Sequence, residues 1–101
     1  MYRDSESYSI VLKILSKSIL NNIALKWQEN DEVLIVMSQN QKVFFLNEVA
    51  KDFLLLCNGR QFSEIVEELC KIYEVEKDIL TDDLLEIIRD LQYKRILRVE
   101  A

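Results

Sequence analysis

The chain has no histidine, no proline, one glycine and two cysteines in 101 residues. Each shortage excludes something. Without imidazole there is no Ser–His or Cys–His nucleophile–base pair. With Cys57 and Cys70 as the only thiols, a zinc site has almost no ligands to draw on. One glycine and no proline remove collagen-like, linker-rich and low-complexity readings. No apolar run approaches the roughly 18 residues of a membrane span. The start, Met1-Tyr2-Arg3-Asp4-Ser5-Glu6, lacks a signal-peptide layout. Together these features predict a cytoplasmic protein with free thiols, no metal and no cofactor.

What is present is an ordinary globular balance, 50% apolar and 31% charged, at a length that suits one domain. The net charge is −5 and is unevenly spread. Residues 1–46 hold five basic and five acidic side chains, whereas residues 47–101 hold eight and thirteen. An acidic surface repels phosphate backbones and anionic lipids, which argues against nucleic acid and membrane as partners.

The apolar pattern along residues 1–21 fits either a strand or a helix. We read this stretch as an N-terminal extension that packs on the domain or on a second copy, and residues 22–101 as the domain proper. From Asn22, Ile23, Leu25 and Trp27 alternate with Ala24, Lys26 and Gln28, the period of a half-buried strand. Trp27 is expected in the core or on a strand face. Val33–Met37 and Lys42–Leu46 are two further apolar strands, each reached through a polar turn. Three strands with short connections make an antiparallel meander.

Asn47 then changes the period. It suits a helix N-cap, and Glu48 suits the positive end of the helix dipole. Asn58-Gly59 closes that helix, with Gly59 free to adopt positive φ. Ser63 is expected to cap a second helix carrying Ile65, Val66, Leu69, Cys70 and Tyr73. A third helix over Lys77–Lys94 has its inward stripe at Leu80, Leu84, Ile87 and Leu91. Ile96–Val99 is a small strand or a sealing tail. The predicted class is α+β: a three-stranded antiparallel sheet followed by three helices, in a winged helix-turn-helix arrangement.

Several of these segments, in order, resemble the PqqD-like family. They are Ile23-Ala24-Leu25-Lys26-Trp27, Leu46-Asn47-Glu48-Val49-Ala50, Leu56-Cys57-Asn58-Gly59-Arg60, Ser63-Glu64-Ile65-Val66 and Tyr73-Glu74-Val75. The resemblance covers about residues 20–99. There are departures: Glu74 stands where the family usually has glycine, and Ile96 stands near where a glycine often ends the last helix. Phe45 occupies a commonly acidic position, and the N-terminal extension has no counterpart.

The resemblance implies a RiPP recognition element, a winged-helix domain that binds the leader segment of a ribosomally made precursor peptide. Such domains present the precursor to a modifying enzyme, often a radical SAM maturase. A lasso-type leader peptidase is the second partner implied. The leader adds as a strand to the third strand of the sheet, in the groove beside the third helix.

On this chain that mode points to Val43, Phe44, Phe45 and Leu46 as the accepting strand. β-Augmentation needs an open strand edge and apolar pockets beside it. If Phe44 and Leu46 face the helices, Val43 and Phe45 face away, and the N-terminal extension is a candidate cover. A strand buried on both faces is the bland account. On the third helix, Leu85 and Ile88 lie one step round from the main stripe and, with Arg89 and Gln92, form a candidate groove flank at the margin of the core. The bland account there is a wide core face.

Cys57 and Cys70 are expected as buried thiols, and Asp82-Asp83-Glu86-Asp90 as a solvated helix face. Of the function classes, an enzyme has the least support: there is no Gly-rich phosphate loop and no catalytic spacing. A winged-helix DNA-binding regulator needs a basic recognition helix, but residues 77–95 carry four basic and five acidic side chains. A non-catalytic peptide-binding adaptor fits best. Its apolar N-terminus would suit a homodimer or a swapped segment.

Overall fold

The computed structural model describes residues 6–100, with side-chain environments from Ile10 onward. Met1–Ser5, the start of the expected extension, lie outside the described residues. The elements in chain order are α1 (Glu6–Ser16), β1 (Ile19–Asn22), β2 (Lys26–Asn30), β3 (Val33–Met37) and β4 (Val43–Leu46). They are followed by α2 (Glu48–Leu56), β5 (Asn58–Gln61), α3 (Phe62–Tyr73), α4 (Lys77–Tyr93) and β6 (Leu97–Glu100). The α+β class holds. One sheet and three helices become, among the described residues, two three-stranded antiparallel sheets and four helices.

The sheet ordered β2-β3-β4 is the expected meander. Leu34 and Val36 of β3 are fully buried on its inner face. They pair with Leu46 and Phe44 of β4, so all four share that face. The first strand differs from its expectation. It spans Lys26–Asn30 and is exposed throughout. The segment before it is tied to the other sheet: Ile23 N–H donates to Ile96 C=O (2.8 Å), and Ala24 N–H to Asn22 Oδ1 (2.9 Å). That turn buries Ala24 and leaves Leu25 and Trp27 about half exposed, so the buried face read from the sequence does not form here.

The second sheet, β5-β1-β6, draws its central strand from the N-terminal region. Leu20 of β1 is fully buried and pairs with Arg60 on one side and Val99 on the other. The pairing slips between Leu20 and Asn21, which face Arg60 and Asn58. Gly59 is the extra residue of this bulge, at φ +90°. Its positive φ therefore serves β5 and not the end of α2, where Cys57 is the C-cap.

Asn47 caps α2 as expected, its Oδ1 accepting from Ala50 N–H at 3.0 Å. The cap of α3 is Gln61 in place of Ser63, because β5 runs straight into the helix. Glu64 reaches back to accept from Gln61 N–H (3.3 Å). α1 packs on α3 with Leu15 buried, while Ile10 and Ile14 stay exposed. It does not cover Val43 and Phe45, which remain exposed. One contiguous core joins both sheets and all four helices, with Phe53, Leu54, Phe62, Ile65, Leu69 and Leu84 at its centre. No helix among the described residues is long and apolar enough to cross a membrane.

Candidate functional site

β4 pairs with β3 alone, so among the described residues its outer edge offers unpaired main-chain donors and acceptors. Sequence alternation sets what each side chain does there. Leu46 is buried and Phe44 half-buried on the helix side. Val43 and Phe45 project from the opposite face at 53% and 72% exposure. Cross-strand pairing puts Phe45 beside Ile35, and Val43 beside Met37. The result is an apolar outer face running into a shallow hollow of about 530 Å³, whose lining includes Lys26, Trp27, Ile35, Met37 and Val43. An open edge without proline, flanked by an uncovered apolar face, is the local chemistry that accepts an extended peptide.

The helical side of the expected groove is different. Leu85 and Ile88 are 8% and 5% exposed and belong to the core, not to its margin. α4 packs against both α3 and β6, so it buries two adjacent rows of apolar residues. Ile87, assigned to the inward stripe, is only partly buried. Arg89 and Gln92 are exposed as expected. Leu85 and Ile88 lie beneath them in the core. Arg89 instead lines a polar depression of about 430 Å³ with Glu86, Asp90 and Tyr93.

The side chain that joins α4 to β4 is one that sequence reasoning misses. Lys94 Nζ lies 4.9 Å from the centroid of the Phe44 ring and donates to Asp90 Oδ2 at 2.8 Å. The only hint in the sequence is the Asp90–Lys94 spacing, one helical turn apart. Beyond Lys94 the helix closes with Arg95 at φ +60°, as Arg95 N–H donates to Gln92 C=O and Ile96 N–H to Leu91 C=O. Arg95 C=O in turn accepts from Gln39 N–H in the β3–β4 loop (3.3 Å).

The titratable groups away from β4 read as structural. Cys57 is 1% exposed and burial pushes its thiol up to about 12; its Sγ contacts Phe53 C=O at 3.2 Å. Cys70 is half-buried, and both thiols are free. Tyr73 donates to the Asp52 carboxylate; partial burial first, then that hydrogen bond and the Asp52 and Glu48 charges, raise its phenol above the usual range. The acidic face of α4 is exposed at Asp83, Glu86 and Asp90. Among the described residues no group of acidic or thiol side chains is arranged to hold a metal ion.

No curated protein and no solved structure gives a significant match to this chain. The family model of coenzyme PQQ synthesis protein D (PqqD) matches residues 32–97, from the turn before β3 to the first residue of β6.

Proposed function

The chain belongs to the PqqD family, and from that premise we propose that it binds the leader segment of a ribosomally made precursor peptide by adding it as a strand to β4. The observation that carries this reading is the uncovered edge of β4, with Phe45 at 72% exposure beside it. Main-chain pairing supplies affinity with little sequence choice, so specificity falls to the side chains along that edge. On the far side of the peptide these are Arg89 and Gln92 of α4 and Lys94 at its C-cap. Leu85 and Ile88 back this surface from the core without forming its pockets. In this reading β2-β3-β4 with α2, α3 and α4 act as the winged helix-turn-helix unit of the family.

The protein is an accessory, not a catalyst. Its role is to hold a precursor for a separate maturation enzyme, a radical SAM enzyme first and a lasso-type leader peptidase second. A homodimer would suit the exposed apolar stripe of α1.

The test uses peptides encoded by short reading frames beside this gene. Each is titrated into the labelled protein while amide hydrogen exchange is followed. The expected result is new protection at Val43–Leu46, lost on Phe45→Asp. A peptide that binds tightly while the β4 amides stay unprotected would refute strand addition.

A further inference from the structure

Half of the basic residues after position 46 fall within residues 89–98: Arg89, Lys94, Arg95 and Arg98. With Asp90 as the one acidic residue in that stretch, its net charge is +3, and the rest of the chain carries −8. The structure gathers part of this charge into a depression of about 650 Å³ where the two sheets meet. Arg95 and Arg98 line it with Gln39, Gln92 and Tyr93, over Ile23 and Leu97. Arg98 has an exposed contact to Glu100 at 3.5 Å. No acidic side chain among the described residues pairs with Arg95.

The backbone around Arg95 fixes where this charge sits. Arg95 sits at φ +60°, directly after the last turn of α4, in the left-handed conformation that closes the helix. The place is also specific. Gln39 belongs to the loop that leads into Val43, and its N–H is bonded to Arg95 C=O. The depression therefore borders the loop through which the chain enters the Val43 end of β4. Guanidinium favours planar carboxylates, and the exposed Gln92 side chain adds a neutral donor, while that of Gln39 is bonded to Ile23 C=O.

We propose that this depression is a carboxylate-binding subsite that takes an acidic stretch of the same peptide, immediately beyond the Val43 end of the added strand. The inference rests on the strand-addition reading and goes beyond it by fixing the chemistry and position of one end of the ligand. In an antiparallel pairing with β4, the acidic stretch lies on the C-terminal side of the paired segment.

Selection of random dodecapeptides on the intact protein tests this while the natural ligand is still unidentified. The expected binders carry alternating apolar residues with Asp or Glu gathered at one end. Against an Arg95→Gln, Arg98→Gln double variant, the same apolar pattern should be selected without the acidic end. A selected peptide should bind that variant about 3- to 10-fold more weakly, the range for one or two exposed charge-assisted contacts. Its version with glutamines in place of the acids should bind both proteins alike, and high salt should erase the difference. Arg95→Gly removes the charge while relaxing the backbone, so it should bind the acidic peptide more weakly although better folded. Binders that depend on Phe45 but show no acidic end would overturn the subsite and leave strand addition standing. Binders indifferent to Phe45→Asp, or none at all, would overturn both. Competition by duplex DNA as effective as by the acidic peptide would also overturn it.

Discussion

Lys94 bridges α4 to the edge strand, its ammonium over the Phe44 ring at 4.9 Å and bonded to Asp90 at 2.8 Å. An exposed cation–π contact contributes about 0.5–1 kcal/mol, and the exposed Lys94–Asp90 pair adds little once screened. Lys94→Gln should therefore lower unfolding stability in urea by about 1 kcal/mol. A double-mutant cycle with Phe44→Leu should recover most of that loss as coupling. Zero coupling would mean that the two side chains do not hold the elements together.

Leu85 separates two accounts of α4. At 8% exposure inside the core, Leu85→Ala should cost about 2–5 kcal/mol by transfer and cavity terms. Leu85→Asp should abolish cooperative thermal unfolding altogether. A folded Leu85→Asp protein, shown by circular dichroism and a sharp melt, would return this residue to the rim of a groove.

Glu74 ends α3 at φ +52°, bonded through its N–H to Cys70 C=O. The departure from the family's glycine therefore keeps the left-handed geometry and bears its strain. Glu74→Gly should stabilise the protein by about 0.5–1 kcal/mol, the relief of an L-residue at positive φ less the added freedom of the unfolded chain. The converse, Gly59→Ala at φ +90°, should destabilise by about 1 kcal/mol or more, although a Cβ there meets nothing closer than Asn21 Oδ1 at 3.8 Å. Chemical denaturation of both variants checks the pair.

Cys57 links stability to alkaline pH. Below pH 9 its thiol is neutral in both folded and unfolded chains. Above that, only the unfolded chain releases the proton until about pH 12, so stability falls as pH rises through this window. The slope from this group is about 1.4 kcal/mol per pH step. Tyr73, also raised, acts in the same direction at the upper end. Cys57→Ala should flatten the curve between pH 9 and 12 relative to the parent. With a thiol reagent at neutral pH, Cys70 should react in the native state and Cys57 only on unfolding.

Residues with a strong local code are legible in the sequence. Asn47 before an apolar run marks the start of α2, and β3 and β4 declare themselves by β-branched and aromatic content. The second sheet is not legible, for a physical reason. β5 is Asn58-Gly59-Arg60-Gln61, with no apolar residue, and exists because β1 offers it main-chain partners. β1 itself rests on one buried side chain, Leu20, too few to set a period. A helix with one buried face would leave Leu85 and Ile88 at the margin of the core, whereas α4 packs against both α3 and β6 and buries them. The open-edged strand β4 is legible through its alternation. Lys94 and Arg95 are not, because their roles depend on how the end of α4 meets the β3–β4 loop.

The central position of β1 constrains the order in which the chain becomes a protein. Ile19 pairs with Glu100, and Asn22 with Leu97, so one flank of that strand is supplied by residues far downstream in the chain. During translation β1 has left the ribosome long before β6 exists, and it waits with one edge unpaired. The meander β2-β3-β4 has only local partners and can pair first. Closure of the second sheet is then a late, long-range step that brings β1 and β6 together. A nascent chain held on the ribosome with residues 97–100 still in the tunnel should display the open edge of β4 before β1 is enclosed.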